Sequence, residues 1–242
     1  MTGKNYYLLS FLPSLVTLGD QPPLSCADFL DRLHSLDSPR PGRLGEAVFL
    51  SDDLLQREAF LVGELESPDP TVLTVPQVRG EMPLPDFLQF SQSGEGVVET
   101  TKIASDAIWS DYFFHVAEVA RTWSSRFLEG WVSFEVTCRN AVAEARARSL
   151  QLEPADYFVA ETLGGSREGF APVVNEWSAA ADPLEGQRVL DSARWRWLSE
   201  NDAYFSFGDD ELGAYAAKLM LTERWYRLTE AVEKQQAKTQ EA

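Results

Sequence analysis

The chain has 242 residues, a formal net charge of −17, 44% hydrophobic and 12% aromatic content, two cysteines and two histidines. That length can bury a real core in one large domain or two small ones, and the apolar content is too rich for a disordered polymer. The acidic balance argues against nucleic acid or an anionic membrane surface as the main partner, because both need clustered Lys and Arg. Cys26 and Cys138 are far apart and neither belongs to a C-x-x-C pair. No disulfide framework or cysteine zinc site is therefore expected, and isolated thiols fit a reducing compartment. The opening apolar run contains two tyrosines, stops at Pro13 and lacks a small-residue cleavage site. No stretch approaches the roughly 20 apolar residues that span a bilayer. A soluble cytoplasmic protein is expected.

In chain order, Tyr6 to Leu12 fits a short strand or the first turns of a helix. After the Asp20-Gln-Pro-Pro break, Ser25 reads as an N-cap with Asp28 three residues on, followed by Phe29, Leu30, Leu33 and Leu36 at helical spacing. Ser38-Pro-Arg-Pro-Gly42 should end that helix, and Leu44 to Leu65 should form a second one, broken near Ser51-Asp52-Asp53 by a new N-cap. Prolines and glycines punctuate residues 67–102, with Val72 to Val75 a short extended piece and Pro85 to Phe90 a helical turn or two. From Ser105 a long amphipathic helix runs to Phe127, is interrupted at Gly130 and continues to about Leu150. A short segment starts at Glu153-Pro154, and Gly164, Gly165 and Gly169 mark a loop. Helices return at Pro172 to Ala180, Leu184 to Ser199 and Asp210 to Lys238, the last capped by Asp209 or Asp210, with a polar tail that frays. The pattern predicts a mainly α protein, a multi-helix bundle with a small irregular or extended region near residues 67–102. It divides into an N-terminal helical segment (1–66), a Pro/Gly-rich connection (67–104) and a main helical region (105–242), or forms one continuous domain.

Few stretches carry recognisable chemistry. Gly164-Gly-Ser-Arg-Glu-Gly169 lacks the Lys-Ser/Thr of a phosphate loop, and Gly94-Glu-Gly96 is weaker. His34 and His115 stand singly, and no G-x-S-x-G elbow is present. Asp52-Asp53 with Glu58, and Asp209-Asp210-Glu211, could hold Mg²⁺ inside a helical bundle, although aspartates at helix starts more commonly cap. The pattern therefore assigns no catalytic, cofactor-binding or metal-ligating residue. A helical metal-dependent enzyme using these clustered carboxylates is the alternative. Arg194-Trp-Arg-Trp-Leu198 puts Trp195 and Leu198 on one face and Trp197 on the adjoining one, as core filler or interface anchors. Arg139 and Arg146, with Glu135 one turn before Arg139, make a charged stripe that is either a solvated face or an interface. Arg139, Arg146, Trp195 and Trp197 are the candidate protein interface.

The stretch Phe134-Glu-Val-Thr-Cys-Arg-Asn-Ala-Val-Ala-Glu-Ala-Arg-Ala-Arg-Ser-Leu-Gln-Leu-Glu-Pro-Ala-Asp-Tyr157 resembles a recurring unit of the C/d-like family of V-type ATPase subunits. Tyr204-Phe-Ser-Phe, Leu212-Gly-Ala-Tyr-Ala-Ala-Lys-Leu219 and Glu223-Arg-Trp are similar to that family's closing helices. The opening Tyr6-Tyr-Leu-Leu-Ser-Phe-Leu-Pro-Ser-Leu15 also resembles an uncharacterised family encoded beside bacterial V-type ATPase genes. The chain is shorter than a usual member of the C/d-like family, and residues 67–102 replace helical sequence. The resemblance implies an all-helical accessory or central-stalk-like subunit without an active site or cofactor. Its implied partners are other V-type ATPase subunits, with no nucleic acid and no membrane insertion, at a cytoplasmic place peripheral to the membrane through the complex. An unrelated helical adaptor is a further alternative.

Overall fold

Every regular element in the described residues is helical. The structure is a computed structural model and describes residues 5–15, 17–89 and 104–240. The opening run is a helix, α1 (Tyr6–Phe11). Ser25 accepts the Asp28 amide at 3.0 Å and starts α2 (Cys26–His34), which turns Phe29, Leu30 and Leu33 inward. Next come α3 (Arg40–Leu61), the one-turn α4 (Val75–Val78), α5 (Ala104–Trp123) and α6 (Arg126–Ser149). Three short 3₁₀ turns, Pro154–Tyr157, Glu161–Leu163 and Arg167–Phe170, lead to α7 (Ala171–Ser178), α8 (Pro183–Asn201) and α9 (Asp209–Gln240). The mainly α, multi-helix architecture is thus as expected, and no described helix is long and apolar enough to cross a membrane.

Several boundaries differ from the sequence expectation, each for a local reason. The Pro-Arg-Pro run starts α3 instead of only ending α2, because Pro41 sits in the first turn, where its missing N–H has no helical partner to lose. α3 then passes through Ser51-Asp52-Asp53 unbroken, so these aspartates lie in a helix interior and cap nothing. The break expected at Gly130 falls instead at Ser124, whose φ of 52° turns the chain, and Ser125 caps α6 by accepting the Leu128 amide at 3.1 Å. α6 continues through Gly130, where a Cβ would stand 3.2 Å from the Trp197 indole, so the glycine admits a ring from α8. The C-terminal segment continues α9 to Gln240.

Residues 71–73 are bent rather than extended, and the Thr74–Gln77 capping box starts α4 directly after them. A 3₁₀ turn at Asp86–Leu88 carries the fully buried Leu88, while Phe90 and the rest of the expected connection to residue 102 lie outside the described residues. One cluster of buried side chains draws on both sides of this connection, from Phe29 and Phe49 through Leu128 and Trp131 to Leu212 and Leu219. α9 packs most extensively on α3, with α5 against α6 and α7 against α8. Full burial of each such aliphatic or aromatic side chain contributes about 1.5–3 kcal/mol.

Asp53, fully buried, ties the connection to this core. Its carboxylate accepts the amides of Thr71, Val72 and Leu73 at 2.7–2.8 Å. Burial pushes the carboxyl up to about 7, while the three amide donors pull it down. Asp53→Ala would leave three amides without an acceptor, so a loss of about 3 kcal/mol or more is expected in urea unfolding. Unchanged stability would contradict this role.

Candidate functional site

Both acidic clusters are engaged by other parts of the chain. Asp52 accepts Arg224 Nε at 2.9 Å and a second bond from Arg227, both on α9. Burial alone would raise its carboxyl, but the two guanidinium groups hold it below the ordinary value of 3.8. From this pair the charges continue in both directions. Arg227 lies 3.6 Å from Glu223, which accepts the Cys26 amide at the start of α2. Arg224 lies 4.0 Å from Asp191 on α8, and Asp191 pairs at 3.1 Å with Arg194. Arg194 in turn makes a bidentate bond to Glu135 on α6, at 2.8 and 3.0 Å. Four carboxylates and three guanidiniums thus alternate through the interior.

Asp209 and Asp210 open the last helix but act across the fold. Asp209 accepts Asn5 at 2.6 Å and Arg40 at 3.0 Å. Asp210 accepts Arg40, the Ser125 hydroxyl and the Phe127 amide, so one carboxylate serves the starts of both α6 and α9. The two clusters do not converge. Arg224, the partner of Asp52, is 15 residues along α9 from Asp209, a separation of roughly 22 Å at 1.5 Å per residue. His34 faces Glu46 at 3.0 Å, and His115 stacks on Phe87 with ring centres 4.0 Å apart.

The four candidate interface residues lie in two neighbourhoods. Arg139 pairs with Asp106 at 3.1 Å and covers the Trp109 ring, while Arg146 lies over Trp177. Glu135 turns to Arg194, so the stripe expected along one helix is resolved into contacts between helices. Trp197 packs among Phe127, Trp131 and Phe134 with ring centres 5.3–6.2 Å apart. Trp195 faces the Lys218 ammonium at 5.9 Å.

Sequence reasoning missed a cluster of exposed aromatic rings at one end of the fold. Tyr6 meets Phe207 at 4.9 Å and Tyr7 at 5.7 Å, Phe207 meets Phe205 at 6.5 Å, and Phe205 meets Tyr204 at 6.0 Å. Tyr7, Phe11 and Phe205 are each about 80% exposed. Phe205 and Phe207 both have positive φ, 60° and 51°, in a region that bulky residues seldom occupy. Glu211 holds this turn by accepting both of their amides and the Ser206 hydroxyl, at 2.7–3.2 Å. The turn is anchored below by Asp202, which pairs at 2.6 Å with the buried Lys218, whose ammonium also faces the Tyr204 ring. A signal for the turn, though not for its meeting with Tyr6, lies in Tyr204-Phe-Ser-Phe, an aromatic run without helical or alternating placement of polar residues.

No family model, curated protein or solved structure matches this chain.

Removing one charge of the buried pair should reveal its structural use. Asp52→Asn leaves Arg224 buried without its carboxylate and is expected to destabilise by about 3–5 kcal/mol in urea unfolding, with no protection by millimolar Mg²⁺. The folded carboxyl binds its proton less readily than the unfolded one. Its contribution is therefore complete above the unfolded value of 3.8 and is lost as pH falls through the lower, folded value. The difference between wild type and Asp52→Asn should shrink below about pH 4. A variant as stable as wild type, or one rescued by Mg²⁺, would contradict the assignment.

Proposed function

We propose that this chain is a non-catalytic helical subunit that works by protein contact, as an accessory or central-stalk-like component of a V-type ATPase. The observation that carries the reading is the aromatic end of the fold. Water-facing rings of this size are normally covered, and contiguous exposed apolar patches mark interaction sites. Backbone strain of about 1–3 kcal/mol per residue persists only where surrounding contacts enforce it. Here Glu211 and the Lys218–Asp202 pair do so. The chain thus maintains a strained turn whose rings make little core contact, which is an expected arrangement for a docking edge.

Three further observations bear on this reading. Tyr6 to Leu15, which resembles the uncharacterised family encoded beside V-type ATPase genes, and Tyr204 to Phe207, which is similar to the C/d-like family's closing helices, are separate stretches whose rings meet in this one patch. The clustered acids that would serve a metal enzyme are each bonded to protein donors, so that alternative has no observation in its favour. The net charge of −17 fits a partner with basic residues around an apolar seat. Complementary charge accelerates encounter and fixes orientation.

The test is affinity capture of the tagged protein from its own cells at low salt, beside a Tyr7→Ser/Phe205→Ser variant. Recovery of V-type ATPase A, B and D subunits in constant proportion is expected, with at least a tenfold loss in the variant. Absence of these subunits, or recovery that ignores the two substitutions, would overturn the proposal.

A further inference from the structure

A cavity of about 520 Å³ opens between α3, α5, α6, α8 and α9, on a different part of the molecule from the aromatic end. Its volume lies within the roughly 300–1,000 Å³ typical of small-ligand sites. The deep wall is formed by Trp109, Phe113, Trp131 and Met220, all buried, together with the buried thiol of Cys138. Burial pushes that thiol up to about 11, so it keeps its proton and presents an apolar surface.

The cations lining the cavity are not equivalent. Arg224 is matched by Asp52, Arg194 by Glu135 and Arg139 by Asp106. Arg146 alone among them has no carboxylate within ion-pair distance among the described residues, and it stands exposed at the rim against the Trp177 ring. An indole face attracts a guanidinium but does not neutralise it. Beside Arg146 the rim is apolar. Gln151, with φ of 58°, ends α6 in a left-handed turn that leaves Leu150 and Leu152 at 67% and 44% exposure on the cavity edge. One apolar wall, exposed leucines at the entrance and an unmatched cation beside them describe a ligand with a hydrocarbon body and a single negative head, and Glu58, which lines the interior and accepts the Trp109 indole N–H at 2.8 Å, keeps that head out at the rim.

We propose that this cavity is a binding site for an amphiphilic carboxylate of the fatty-acid class, its chain inside against Trp109, Trp131 and Met220 and its head at Arg146. Long chains suit the site because Met220 and the rim leucines adapt to a flexible hydrocarbon. The neutralised pairs at the floor offer no further charge for a dianion. The site is independent of the partner proposal and stands or falls separately from it.

Sodium dodecanoate below its micelle concentration is the probe, measured by titration calorimetry and by tryptophan fluorescence, to which Trp109 and Trp131 of the cavity contribute among the seven tryptophans. Saturable binding near one dodecanoate per chain is expected, at least tenfold tighter than binding of dodecyltrimethylammonium. Arg146→Glu, a change at an exposed position, should weaken dodecanoate at least tenfold and remove that preference without altering the circular dichroism spectrum. Ala143→Trp, which puts a ring into the cavity from a half-buried wall position, should weaken both probes. Non-saturable uptake, equal affinity for the two head groups, or Arg146→Glu binding dodecanoate like wild type would each overturn the proposal.

Discussion

Seven side chains, Glu223, Arg227, Asp52, Arg224, Asp191, Arg194 and Glu135, alternate in sign through the interior and connect α9, α3, α8 and α6. At one end the line also reaches the first amide of α2 through Glu223. Burying so many charges is a poor source of net stability, since desolvation offsets most of the attraction. Its effect is positional. Each carboxylate has one arrangement that satisfies its guanidinium, so a shift of α9 along α3 by a turn would strand several charges at once. The apolar faces, which tolerate sliding much better, supply the bulk stabilisation around this fixed register.

That register determines where the two outward-facing features fall. With α9 held against α3, its first turn meets Arg40 and Asn5, and Glu211 is placed to hold the strained Phe205–Phe207 turn. Lys218, two turns further along, secures Asp202 beneath the same turn. Arg224, Arg194 and Glu135 of the line form part of the cavity floor, where the two guanidiniums are already matched. Among the described residues, interior electrostatics thus leave an aromatic edge and a cavity with one apolar wall and an unmatched cation at its rim.

The fold was legible where local chemistry decides. Ser25 as a cap, the apolar spacing of α2, the span of α8 and the acid-rich opening of α9 all follow from side chains interacting with neighbours in sequence. The failures share the opposite cause. Asp52 and Asp53 look like helix starters in isolation, and their acceptance inside α3 depends on Arg224 and on amides 18 to 20 residues away. Gly130 looks like a breaker, yet its meaning is set by Trp197 on another helix. Spacing along α6 could not show the partners of Arg139 and Arg146, because Asp106 and Trp177 come from other elements. The aromatic edge was divided between residues 6–11 and 204–207, and no local pattern announces that two such stretches meet.

The most direct test of the account is a double-mutant cycle on Asp52→Asn and Arg224→Met, read by urea unfolding at neutral pH. If the pair is an interior strut, the two losses will not add. The double variant should be more stable than the sum of the single losses allows, with a coupling of about 1–3 kcal/mol. Additive losses would mean that Asp52 and Arg224 do not depend on each other, and the alternating line would lose its central link.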